Sequence, residues 1–170
     1  MTVLNDEISK ENAGYKYLLC VIDVFSKMAL VKELKAKTPE SVLVGFKHIL
    51  RMAKDRRPEN GQSDNGREFD NRKFKEFVNI KLKAHFYTSR NPDIKCAIVE
   101  SFQRTLKNEM WRYFTRKKTR KYRSILQSLV RGYNSSYHST IRCAPKMVRA
   151  GNALDEVAVL DFMEAKQKFK

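Results

Sequence analysis

The run Tyr15-Lys16-Tyr17-Leu18-Leu19-Cys20-Val21-Ile22-Asp23-Val24 is almost unbroken in apolar and β-favouring side chains, and a second run, Met28 to Leu34, follows a polar break at Ser26-Lys27. Two such runs this close together read as antiparallel neighbours in a buried sheet. The break is long enough for a tight turn and too short for the crossover that a parallel pair requires. A chain built on a buried hairpin must then supply elements to cover it.

Those elements follow in order. Thr38 is placed to cap a helix whose first position is Pro39, and Val42, Leu43, Phe46, Ile49 and Leu50 recur at helical spacing, so this helix is expected to cover one face of the sheet. Lys54 to Asn60 is polar and turn-prone, after which a short strand is needed to carry Asp64 to its end. Asp70 is read as the cap of a second helix with Phe74, Phe77 and Val78 on its inner face. Ala84 to Thr88 reads as a short strand and Ser89-Arg90-Asn91-Pro92-Asp93 as a loop leading into a helix that contains Glu100. From Tyr122, the residues Ile125, Leu126, Leu129, Val130 and Tyr133 form the apolar stripe of a further helix. A hairpin followed by strands alternating with helices specifies an α/β fold, a mixed sheet flanked by helices. With no internal repeat, residues 1–150 are expected to form one domain and residues 151–170 a helical extension.

The 170 residues, 42% of them hydrophobic, are enough to bury a core. Lys and Arg number 35 against 19 Asp and Glu, a formal charge of +16, which favours a polyanionic partner, nucleic acid first among them. Cys20, Cys96 and Cys143 lie far apart, with no Cys-x-x-Cys pair and no His spacing for a zinc site, as expected in a reducing compartment. No apolar run approaches the roughly 18 residues of a membrane helix, and the N-terminal residues lack the layout of a signal peptide. A soluble intracellular protein is expected, with no membrane partner.

Thirty-five residues lie between Asp64 and Glu100. Asp64 sits in Gln62-Ser63-Asp64-Asn65-Gly66-Arg67-Glu68-Phe69, where a strand ends in a glycine-containing turn at the sheet edge, and Glu100 opens a helix. Carboxylates so placed can converge on one divalent cation although far apart in sequence. Arg104 and Lys107 follow Glu100 by four and seven residues and share its helix face, where they can meet phosphates. Arg112, Arg116, Lys117, Lys118, Arg120, Lys121 and Arg123 form a dense basic stretch interleaved with Tyr113, Phe114 and Tyr122; it reads equally as a DNA-backbone track and as a solvated surface, and the overall charge tips the balance toward DNA. Trp111 is expected to pack behind the Glu100 helix or at a subunit contact, and His138 to hold a structural hydrogen bond.

Tyr15-Lys-Tyr-Leu-Leu-Cys-Val-Ile-Asp-Val-Phe-Ser-Lys27, Ser63-Asp-Asn-Gly-Arg-Glu-Phe69 and Val99-Glu-Ser-Phe-Gln-Arg-Thr-Leu-Lys107, in that order, resemble the catalytic core of retroviral-type integrases. Lys107-Asn-Glu-Met-Trp-Arg-Tyr-Phe-Thr115 and Tyr133-Asn-Ser-Ser-Tyr-His138 with Ala144-Pro145 resemble the integrases of Polinton or Maverick transposons in particular. The resemblance covers residues from about 10 to about 150. It implies an RNase H-like fold with a five-stranded mixed sheet, Mg²⁺ or Mn²⁺ as cofactor, DNA as substrate, a nuclear location, and a homodimer formed through the Pro39 and Tyr122 helices. It also implies that the family's N-terminal zinc-binding module and a full C-terminal module are not in this sequence.

The family uses three carboxylates, and Asp64 and Glu100 match the second and third. Asp23 would complete the set, but the Asp of the family's Val-Ile-Asp-Val-Phe-Ser-Lys segment lies on the second strand and is not a ligand there. The first ligand belongs to the preceding strand, which places it between Met1 and Ser9; Asp6 is the only Asp in that window, whereas the spacing of transposon relatives points to Met1 itself. Two functions stay open on this reading. One is an integrase core performing metal-dependent 3′-end processing and strand transfer, with Asp64, Glu100 and Asp6 as its carboxylates and Arg104, Lys107, Arg116, Lys117, Lys118 and Arg120 on DNA. The other is a domesticated DNA-binding or protein-interaction domain that has lost the first ligand and the reaction. Gln103 and Ser101 also depart from the residues usual at their positions in the transposon group.

Overall fold

A computed structural model describes residues 1–54, 56–88, 96–149, 151–152 and 155–161. The hairpin is present as β2 (Tyr17–Ile22) and β3 (Ala29–Leu34), antiparallel with Tyr17 opposite Leu34 and Ile22 opposite Ala29. β2 ends at Ile22 rather than Val24, because the Asp23 carboxylate turns the chain. It accepts hydrogen bonds from the Phe25 amide at 3.0 Å and the Ser26 hydroxyl at 2.6 Å, and Lys27 then adopts a left-handed φ of 60°.

Successive side chains of β2 face opposite sides of the sheet. Leu18 enters one core with Ala29 and Val31, covered by α4 (Ala97–Lys117) and α5 (Arg123–Ser135) through Phe102, Leu106, Met110, Leu126 and Val130. Leu19 enters the other with Leu34, covered by α2 (Pro39–Ala53) through Val42 and Ile49, and by Phe69, Phe74 and Val78 beyond it. The hairpin is therefore the middle of three layers, which is why its sequence is apolar on both faces. α2 approaches closely: a Cβ at Gly45 would stand 2.7 Å from Leu34 Cδ2. Thr38 caps α2 by accepting from the Ser41 amide, with Pro39 in the first turn, as the sequence indicates.

Two expectations need correction. The cap of α3 (Arg72–Glu76) is Asn71, whose Oδ1 accepts from the Phe74 amide at 2.9 Å, and not Asp70; α3 runs on into a π-helical turn, Phe77–Lys81. The five strands also fall into two sheets and not one. β1 (Thr2–Val3) pairs antiparallel with β2, Thr2 opposite Leu18, while β4 (Asn60–Ser63) pairs parallel with β5 (His85–Thr88). A two-residue β1 is too short to carry a ladder on both of its edges, so the step to β4 is unpaired among the described residues. The fold class itself stands: an α/β arrangement of helices on both sides of sheet.

α1 (Asp6–Glu11) lies between β1 and β2 and is tied to the far end of the molecule. Asn12, 3% exposed, donates to the Ile8 and Arg120 carbonyls and accepts from the Tyr122 amide at 2.9 Å. β3 is an edge strand whose outward backbone is covered by α5. Asn134 accepts from the Ala29 amide and donates to the Ala29 carbonyl, both at 2.8 Å, and Gln127 donates to the Val31 carbonyl at 3.0 Å. The predicted loop at residues 89–93 and most of the C-terminal extension lie outside the described residues; residues 155–161 are helical.

Candidate metal and nucleic-acid site

Asp64 stands immediately after β4, exposed, at the C-terminal end of a parallel strand pair. The turn beyond it is closed by the Phe69 and Asp70 amides, both donating to the Gly66 carbonyl at 2.9 Å. Gly66 makes room here for Glu68, since a Cβ would lie 2.7 Å from the Glu68 carboxyl carbon and that side chain would have to shift. Glu68 is 5% exposed and forms an ion pair with Lys37 at 3.0 Å, so the Asp64 turn is anchored to the segment entering α2. Sequence reading passed over Glu68. Its signal was its place between a Gly turn and the core residue Phe69.

Glu100 is exposed in the first turn of α4, its amide donating to the Cys96 carbonyl at 2.9 Å. The Cys96 thiol is pushed above its usual pKa, first by partial burial and then by the negative charges of Asp64 and Glu100, while the Met1 nitrogen acts in the opposite sense. Met1 also acts on Cys20, whose thiol is raised by burial to about 12 and which lies beside the buried Thr2 hydroxyl and within reach of Lys107.

Asp6 is placed elsewhere. It lies in the first turn of α1, past β1, with its carboxylate 2.5 Å from Lys16 Nζ, which holds its pKa below the usual carboxylate range. Asp23 spends both oxygens on its own turn and on Arg56 at 3.3 Å, and Arg56 continues to the Ser26 hydroxyl and the Val148 carbonyl. Among the described residues, no group of three or more His, Cys, Asp or Glu side chains is arranged to hold a metal ion. Two carboxylates are of the donor type that one hard cation such as Mg²⁺ would accept, with water or phosphate oxygens in its remaining positions, and are too few for the donor set of a two-metal site.

Arg104 and Lys107 are exposed and have no ion-pair partner among the described residues. With Glu100 and Trp111 they recur at steps of four, three and four, which places all four on one face of α4 opposite Phe102, Leu106 and Met110. Trp111 is 47% exposed, so it neither packs behind the helix nor lies in the core; its ring meets Phe114 edge-on at 5.6 Å and carries the Arg120 guanidinium at 5.7 Å. The basic stretch does not form one track. Arg116 and Lys117 are exposed but point about 100° apart around the helix. Lys118 caps α4 in a left-handed conformation, and Arg120 pairs with Glu7 at 3.4 Å. His138 is structural, its amide donating to the Cys143 carbonyl and its Nδ1 accepting from Thr140. No described helix is long and apolar enough to cross a membrane.

The fold is that of retroviral integrase catalytic cores. The chain superposes on an integrase chain of a simian T-cell lymphotropic virus intasome bound to a PP2A regulatory subunit, B56 gamma, with a TM-score of 0.73 at 18% identity, covering 85% of this chain and 52% of that one. It superposes on the HTLV-2 integrase core in complex with magnesium with a TM-score of 0.65 at 19% identity, covering 78% and 84%, and on the BIV integrase core with 0.61 at 16% identity, covering 90% of each. In sequence it is 36% identical over 143 residues, 84% of its length, to an uncharacterised transposon-derived protein of Caenorhabditis elegans, and it spans about half of that relative, 49%. No protein-family model matches the chain.

Proposed function

We propose that the chain is an integrase or transposase catalytic core that binds DNA along α4 and holds Mg²⁺ or Mn²⁺ between Asp64 and Glu100. The observation that carries this reading is the placement of Asp64 directly after β4, at the C-terminal end of the β4–β5 pair, and of Glu100 in the first turn of α4, with Arg104 and Lys107, which have no ion-pair partner among the described residues, continuing from Glu100 on the same exposed face. The magnesium of the HTLV-2 core and the transposon origin of the C. elegans relative support it. A bound divalent ion supplies Lewis-acid polarisation of a phosphoryl oxygen and activation of a water or 3′-hydroxyl. Asp64 and Glu100 supply its anionic ligands, and Arg104 and Lys107 fix the phosphates of the DNA end, with Arg116, Lys117, Lys118 and Arg120 contributing at the far end of the helix. A Polinton-type kinship, a nuclear location, a domain ending near residue 150 and a homodimer through α2 and α5 belong to the same proposal.

A second reading, a DNA-binding domain that no longer catalyses, is favoured by one observation: Asp6, the only Asp in the expected window, sits on α1 beside Lys16 and does not join Asp64 and Glu100. Mn²⁺ calorimetry separates the readings. One ion bound by the parent and lost in both Asp64→Asn and Glu100→Gln, with Asp6→Asn unaffected, supports a two-carboxylate site. Two ions, reduced to one or none by Asp6→Asn, make Asp6 the third ligand. Absence of binding by the parent overturns the metal site and leaves the second reading. DNA affinity measured against salt tests the other half: neutralising six to ten phosphates costs roughly 10³- to 10⁵-fold between 50 and 200 mM.

A further inference from the structure

At the end of α4 opposite Glu100 there is an open cavity of about 280 Å³ walled by Glu11, Trp111, Thr115, Lys118, Thr119 and Arg120. We propose that this cavity takes one unpaired nucleotide, its base stacked on the Trp111 indole, and so holds a single-stranded DNA end some three helical turns, about 16 Å, from Glu100. The inference rests on the reading of α4 as the DNA face and adds a ligand class to it.

Three observations point to this occupant. Trp111 is the only tryptophan in the chain and stands half exposed on a face otherwise set with Arg104 and Lys107. A duplex keeps its bases stacked on one another and offers a side chain base edges and backbone but no free base face. An indole in a concavity gains most from a base that has left that stack. The walls also supply what a nucleotide needs beside stacking: Lys118 and Arg120 for its phosphate, the Thr115 hydroxyl for its sugar, with Thr119 able to donate while it accepts from the Lys121 amide, and the second oxygen of Glu11, whose Oε2 accepts from the Arg120 amide, as acceptor for an exocyclic amino group. Finally, Arg120 is poised without being locked. Its guanidinium rides over the Trp111 ring and its partner Glu7 is 72% exposed, so the pair is screened by water and readily exchanged for a phosphate.

The single tryptophan reports directly on the site. Titration of the whole chain with a blunt DNA duplex, with the same duplex bearing a short single-stranded overhang, and with the single strand alone is read by indole fluorescence and by anisotropy of labelled DNA. Quenching is expected with the overhang and the single strand and not with the blunt duplex. Trp111→Ala is expected to lose about 5- to 150-fold in affinity for the overhang with little change for the blunt duplex, and Trp111→Phe to retain most of it. Blunt duplex bound normally, no quenching by the overhang and equal affinities for parent and Trp111→Ala would overturn this inference and leave the DNA reading standing. Failure to bind any DNA would overturn both. A blue shift that grows with protein concentration in the absence of DNA would overturn it in favour of a second copy of the chain.

Discussion

Glu68 and Lys37 meet at 3.0 Å across the base of the Asp64 turn, a buried carboxylate held by a half-exposed ammonium. The contact binds the turn to the segment entering α2. It also explains Gly66, whose missing side chain leaves room for the Glu68 carboxyl. Gly66→Ala is expected to push Glu68 off Lys37 and displace Asp64. Lys37→Ala leaves the Glu68 charge without its counter-ion and is expected to cost about 1 to 2 kcal/mol, less than for a fully buried pair because Lys37 itself faces water. Urea denaturation measures the loss, and Mn²⁺ calorimetry is expected to show weaker binding in both variants. Unchanged metal binding in Gly66→Ala would show that the turn does not position Asp64.

Asn134 makes both of its backbone bonds to Ala29, doing for the edge of β3 what a neighbouring strand would do. Asn134→Ala strips a buried N–H and a buried C=O of their partners at once and is expected to cost about 2 to 4 kcal/mol. Asn134→Asp keeps the shape and can still accept from the Ala29 amide but can no longer donate to its carbonyl, and it buries a charge, so it should be at least as destabilised near neutral pH. The comparison is made by denaturant midpoint. A midpoint for Asn134→Ala equal to the parent's would mean that water satisfies the strand edge.

The hairpin, the Thr38 cap with Pro39, the stripe of α5 and the helix carrying Glu100 were all legible in the sequence, because each is set by residues near one another in the chain. What was not legible depends on partners far away. Asn12 and Asn134 look like ordinary polar residues until Arg120, Tyr122 and Ala29, more than a hundred residues distant, are placed beside them. Asp70 and Asn71 are equally good caps by type, and only the register of α3 selects Asn71. The single five-stranded sheet failed at β1, where two residues cannot do the pairing of a full strand. Within the site, Asp64, Glu100, Arg104 and Lys107 could be named from spacing, whereas the exposure of Trp111 could not, since an aromatic on a helix is usually buried.

The effect of the two carboxylates on Cys96 can be tested by alkylation. Partial burial and, after it, the charges of Asp64 and Glu100 raise the thiol pKa, so removing either charge lowers it and raises the thiolate fraction at a given pH. Asp64→Asn and Glu100→Gln are each expected to label faster at Cys96 than the parent near pH 8, and the double variant faster still. Cys20, raised to about 12, is expected to stay silent in all of them, and Cys143 to label at an unchanged rate as the internal standard. Mass spectrometry of the labelled peptides resolves the three positions. Acceleration by only one of the substitutions would mean that the carboxylates do not share a locality.

Met1 precedes β1, its side chain packed against the α2-side core and its nitrogen lowering the thiol pKa of both Cys20 and Cys96. A carboxylate at this position would stand one residue before β1, the strand beside β2, whereas Asp6 lies one helix further on. Met1→Asp, placed behind a new initiator and a few strand residues that let β1 reach β4, is therefore expected to raise the Mn²⁺ stoichiometry from one to two. It should also add divalent-dependent DNA nicking that Asp64→Asn abolishes. The same extension with Asn in place of Asp separates the carboxylate from the lengthened strand. A second metal without nicking would place the defect in Gln103, Ser101 or the DNA contacts. No second metal in the Asp version would mean that β1 does not direct position 1 into the site, and the reading as a binding domain would then account for the chain better than that of a core lacking one ligand.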